Sequence, residues 1–127
     1  MRVLVLALCG LVLLSGVPSR AEEAVSQAVY ISEMEDVPLM QGLMENAGEG
    51  MVFDQPEGRV VQAVATGEGL SAASVATYYA ALLPQLGWEV SSPENPLAFT
   101  RGDERLVIDM AADEAGVLSV SFTLSPR

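Results

Sequence analysis

The sequence predicts an α+β fold: a two-layer sandwich with one helix, over about residues 71–86, packed on an antiparallel sheet of about five or six strands. The element order is β-hairpin–α–β–β–β–β. Three observations lead there. Val75, Tyr78, Tyr79, Leu82 and Leu86 recur at the spacing of one helical face. Gly50 to Thr66 reads as two apolar strands around a Pro-Glu-Gly turn. Beyond Gly87 the apolar period drops to two and stays there to the end of the chain.

The elements follow in order. Val37-Pro38-Leu39-Met40 is apolar, and Leu39, Met40, Leu43 and Met44 allow one helical turn ahead of the hairpin. In the hairpin, Met51-Val52-Phe53 leads into Gln55-Pro56-Glu57-Gly58, with proline and glycine where a type I turn takes them. The return strand, Arg59 to Thr66, puts valine and alanine on both faces. A strand covered on one side and half covered on the other has that pattern. Gly67-Glu68-Gly69 is expected to end it.

Ser71 stands at the N-cap of the helix, with Leu70 and Val75 placed as a hydrophobic staple. Gly87 takes the left-handed position after the last turn, and Pro84 tightens or kinks that turn. Trp88–Val90, Leu97–Thr100 and Arg105–Met110 are short strands. In the last strand Leu118, Val120, Phe122 and Leu124 alternate with Ser119, Ser121 and Thr123, so one face is dry and the other wet.

The N-terminus reads as an export signal. Arg2 precedes an apolar run from Val3 to Leu14, Pro18 breaks it, and Ser19-Arg20-Ala21 offers a cleavage site before Glu22. The run is too short for the roughly 20 apolar residues that cross a bilayer. The domain division is therefore a signal peptide at 1–21, a flexible acidic arm at 22–36 and a single α+β domain at 37–127. The expected location is the periplasm, with no transmembrane anchor once the signal is cleaved.

Cleavage removes Arg2, Arg20 and the lone cysteine, Cys9, but no acid, which takes the net charge of −11 to −13. A domain without cysteine in an oxidising compartment rests on core packing alone. The acidity argues against nucleic acid and against anionic membrane surfaces. The chain has no histidine and no lysine. Ser-His-Asp and Cys-His catalysis, Schiff-base lysines and phosphate-loop lysines are thereby excluded. No catalytic residue, cofactor or metal site is assigned.

Tyr78-Tyr79-Ala80-Ala81-Leu82-Leu83-Pro84-Gln85-Leu86-Gly87-Trp88, then Leu97-Ala98-Phe99-Thr100-Arg101-Gly102 and a closing strand, make a recognisable pattern. It resembles small uncharacterised secreted or periplasmic proteins of Gram-negative, alphaproteobacterial bacteria. Their pattern also includes segments like Val37–Met40 and Val52–Arg59, so the resemblance spans about Val37 to Phe122. These are positions of fold type; the resemblance implies location and architecture, and carries no active site.

The surface of the helix is the most informative oddity. From Ser71 to Leu86 it bears no charge, and its outward residues Ala73, Thr77, Ala80 and Ala81 are small and neutral. With the apolar Leu39, Met40 and Leu43 they form the expected partner surface, for another envelope protein or for self-association. Alanine is also the best helix former, which accounts for the same residues without a partner. The alternative is a small-ligand or metal binder. Met40 and Met44, four apart, would offer two thioethers to Cu(I) from one helical face, and Asp109 and Asp113 would offer oxygen to calcium. A carboxylate hydrolase drawing on Asp54, Glu57, Asp103 and Asp109 is a third reading. Trp88 is expected in the core.

Overall fold

The computed structural model describes residues 28–127. The expected signal peptide and residues 22–27 of the expected arm lie outside the described residues. A two-stranded hairpin comes first, β1 (Val29–Ile31) and β2 (Met34–Leu39). Then come β3 (Met44–Glu45), a 3-10 turn at Ala47–Glu49, β4 (Met51–Gln55) and β5 (Gly58–Glu68). Helix α1 (Ala72–Leu82) tightens into a 3-10 turn over Leu83–Leu86. Four strands close the chain: β6 (Glu89–Ser92), β7 (Asn95–Arg101), β8 (Glu104–Ala112) and β9 (Val117–Pro126).

The α+β architecture is the one the sequence predicts, and β4–β5, α1 and β6–β9 follow in the expected order, but β1, β2 and β3 precede them unforeseen and the main sheet is wider. It has seven strands in the order β3-β5-β9-β8-β7-β6, with β4 also on β5, and every pairing in it is antiparallel. The helix carries the chain from β5, across one face, to the far edge at β6. Three tight connections then walk back until β9 lands beside β5. The last strand is thus central, with β5 on one side and β8 on the other.

One face of this sheet is covered. Val61, Ala63 and Ala65 of β5, Leu118, Val120 and Phe122 of β9, Leu106 and Ile108 of β8 and Phe99 of β7 are buried in a single cluster. Val75, Tyr79 and Leu83 close it from the helix, and Ile31, Met34 and Val37 from the β1–β2 hairpin. Trp88 is buried among them, as expected. Apart from Tyr79 and Trp88, no described residue with a polar or charged side chain is buried.

Three expectations change. Val29 to Asp36 is part of the domain: it makes β1 and half of β2, and puts Ile31 and Met34 in the core. The expected helical turn over Leu39–Met44 is the end of β2, a turn and β3, because Gly42 takes a positive φ of 99° that interrupts any helix. Gly67 continues β5 instead of ending it. A Cβ there would lie 2.8 Å from the Gly42 carbonyl and 2.7 Å from Leu70, so only glycine admits that close approach.

The helix ends are as the sequence implies. The Ser71 hydroxyl accepts from the Ser74 amide at 3.1 Å, and Gly87 sits at φ 93° in the left-handed region. Tightening at Pro84 shifts the buried register, so Leu83 faces the core and Leu86 is exposed. No helix among the described residues is long and apolar enough to cross a membrane.

Candidate functional site

The helix and the β1–β2 hairpin lie side by side on the covered face, and one side chain joins them. Tyr79 is fully buried; its hydroxyl donates to the Pro38 carbonyl at 2.8 Å and accepts from the Met40 amide at 3.0 Å. Its ring meets Phe122 edge-on at 5.3 Å and Tyr78 at 4.9 Å. Burial, with a smaller contribution from Tyr78, pushes the Tyr79 hydroxyl far above the usual tyrosine range, against the opposing pull of the Met40 amide. Burial also raises Tyr78, with Tyr30 adding to it.

The seam leaves a groove of about 850 Å³, lined chiefly by Val29, Pro38, Leu39, Met40 and Tyr78. It is open and mostly apolar, and half-buried Tyr78 forms one wall. On the outward side of the helix Ala73, Thr77, Ala80 and Ala81 are all exposed. Thr77 spends its hydroxyl on the Ala73 carbonyl at 2.9 Å, which leaves the face poorer still in polar groups.

The remaining expected site residues are dispersed. Leu39 and Met40 are half-buried at the groove, and Leu43, which belongs to the core cluster, borders the same groove from beneath. Met44 is the most exposed large apolar residue described, at 76%, and pairs with Thr66 on β5. Met40 and Met44 therefore share no helical face, and the two-thioether arrangement is not formed. Asp109 is exposed on β8. Asp113 is committed to its turn, its carboxylate accepting from the Ala115 and Val117 amides at 2.9 Å. Among the described residues no three acidic side chains converge as metal ligands.

The carboxylates of the hydrolase reading are also apart. Glu57 and Asp103 are in different turns. Asp54 pairs with Arg59, on the strand side of Val61, while Asp109 pairs with Ser121 on the opposite face.

A residue that spacing did not single out is Arg101. Its guanidinium lies 4.4 Å above the Trp88 ring, is ion-paired with Asp36 of the hairpin, and approaches Glu104 at 4.0 Å. It ties hairpin, helix end and sheet together across 65 residues of sequence, a link no local pattern reveals. The Trp88 indole N–H beneath it is buried and meets no acceptor among the described residues.

Comparison with protein-family models, with characterised proteins and with solved structures finds no match for this chain.

Proposed function

We propose that the chain is a non-catalytic periplasmic protein that works by contact, either with another protein of the envelope or with a second copy of itself. The observation that carries this reading is the exposed, chargeless face of α1. The whole helix lacks a charged residue in a chain of net charge −11. The groove with Leu39, Met40 and Tyr78 adjoins that helix. Small side chains allow a partner backbone to come close, and the groove supplies apolar depth.

Ala80→Glu tests the reading, because Ala80 is exposed and the change does not disturb the core. A glutamate trapped at a contact is left without a partner, so association falls at least about tenfold. Cross-linking in native periplasm, with circular dichroism as the control on folding, is the measurement. A wild-type chain that stays monomeric and cross-links to nothing overturns the proposal. The groove is also where the alternative reading, a small apolar ligand, would be met. Thermal shift on adding such ligands, with association unchanged in Ala80→Glu, favours that alternative.

A further inference from the structure

The two outer edges of the main sheet are finished differently. At β6 the pairing with β7 is irregular between Val90 and Ser92, Glu89 is exposed on the strand, and Pro93 follows it. A bulge is a device by which proteins block strand addition, and it is what separates the two edges, since β4 likewise carries one charge, Asp54, and is followed by Pro56. At the other edge β4 has an unbroken register on β5, and all five of its residues, Met51-Val52-Phe53-Asp54-Gln55, are exposed. It has no proline, no lysine and no bulge. Among the described residues nothing pairs with its outer side.

Register decides which backbone groups are free. The turn between Gln55 and Gly58 has two residues, so that pair closes the ladder with mutual hydrogen bonds. Met51, Phe53 and Gln55 then direct their backbone groups to β5, and Val52 and Asp54 direct theirs outward. The side chains along this edge are apolar: Met51 is 55%, Val52 41% and Phe53 39% exposed. Met44, also exposed, lies farther along the same side of β5.

Charge selects among the strands that could add there. Glu49, Asp54 and Glu57 flank the edge, and Arg59, beside them on β5, stands 3.9 Å from Asp54. Across the whole chain there are 17 acids against 6 basic residues, so a second copy would bring like charge to like charge. We infer that the β4 edge is a strand-addition site for an extended, basic segment of another protein, its backbone pairing with Val52 and Asp54 and its apolar side chains lying beside Phe53 and Val52. This inference rests on the proposed interaction role and names the partner's chemistry. It uses a different surface from the helix face, so each can fail alone.

The test titrates the whole chain with a synthetic peptide alternating arginine and valine, and with the same peptide carrying glutamate for arginine. The expected result is saturable binding of the arginine peptide alone, with slowed hydrogen exchange at the Val52 and Asp54 amides. Val52→Pro removes an outward donor and leaves the β4–β5 bonds intact, as proline on an edge strand does. It weakens binding at least about tenfold with the unfolding midpoint little changed, while Ala80→Glu leaves binding as it was. Phe53→Ser, which keeps the backbone, serves as a second variant and also weakens binding. Equal binding of the two peptides, protection elsewhere than at β4, or a dimer of the chain that Val52→Pro dissolves would each overturn the inference.

Discussion

The two faces of the main sheet are written by the same strands, yet one is packed and the other is open. Along β9, Leu118, Val120 and Phe122 point to the covered side and are at most 2% exposed. Ser119, Ser121 and Thr123, one residue away in each case, are half-buried on the open side. Across five strands one row of that open side reads Ala98, Val107, Thr123, Gln62 and Met51, without a charge. Val60 and Ala98 are buried on that side but stand outside the core cluster. Since β9 is paired on both edges, its backbone is satisfied whichever face is considered. The difference therefore lies in side chains alone: the covered face supplies cohesion, and the open face is free of that duty.

Phe122→Ala has the largest expected effect. Phe122 is fully buried at the centre of the covered side, opposite Ala63 and Ile108 and against Tyr79. Truncation leaves a cavity that fixed strands cannot close, and costs about 3–5 kcal/mol in chemical denaturation. A loss below about 1 kcal/mol would mean that the covered face is not where the fold is held.

Tyr79→Phe comes next and acts on the lid of that face. Without the hydroxyl the Pro38 carbonyl and the Met40 amide lose their partner, at about 1–3 kcal/mol. The same group sets an alkaline limit. Folded Tyr79 holds its proton more tightly than the unfolded chain, whose tyrosines titrate near about pH 10. Its contribution is complete below that pH and declines as pH rises further, by up to about 1.4 kcal/mol per unit for each proton. Tyr78, raised in the same direction, adds a smaller part. Unfolding measured from pH 9 upward should show the decline in the wild type and a shallower one in Tyr79→Phe. Identical slopes would detach the hydroxyl from the hairpin.

What the sequence discloses follows the same division. The helix, its cap at Ser71 and its end at Gly87 were legible because each is fixed by residues within a few positions of one another. So was the alternation of β9, because a strand between two partners needs one dry side. The β1–β2 hairpin was not legible. In β2 the buried residues are Met34, Val37 and Pro38, a spacing that no two-residue period matches, and the register slips between Tyr30 and Ile31. With Glu33 before them and Glu35 and Asp36 between them, these residues look like a solvated arm. Their burial is decided from a distance, by Tyr79 and Arg101. The candidate site divides likewise: the exposed helix face was visible from local spacing, whereas the groove exists only once hairpin and helix meet.

Ser121→Ala is the gentlest probe, and it reads the open face directly. Ser121 is at the middle of the open face, between Val64 and Asp109. Losing its hydroxyl removes contact with water and no buried bond, and alanine is only slightly poorer than serine on a pleated surface. The expected change in stability is within about 0.5 kcal/mol, an order of magnitude below Phe122→Ala on the next residue of the same strand. That contrast holds only while the open face is wet. If Ser121→Ala were to cost more than about 1 kcal/mol in the whole chain, some part of it would have to cover this face, and the division of labour between the two sides would have to be redrawn.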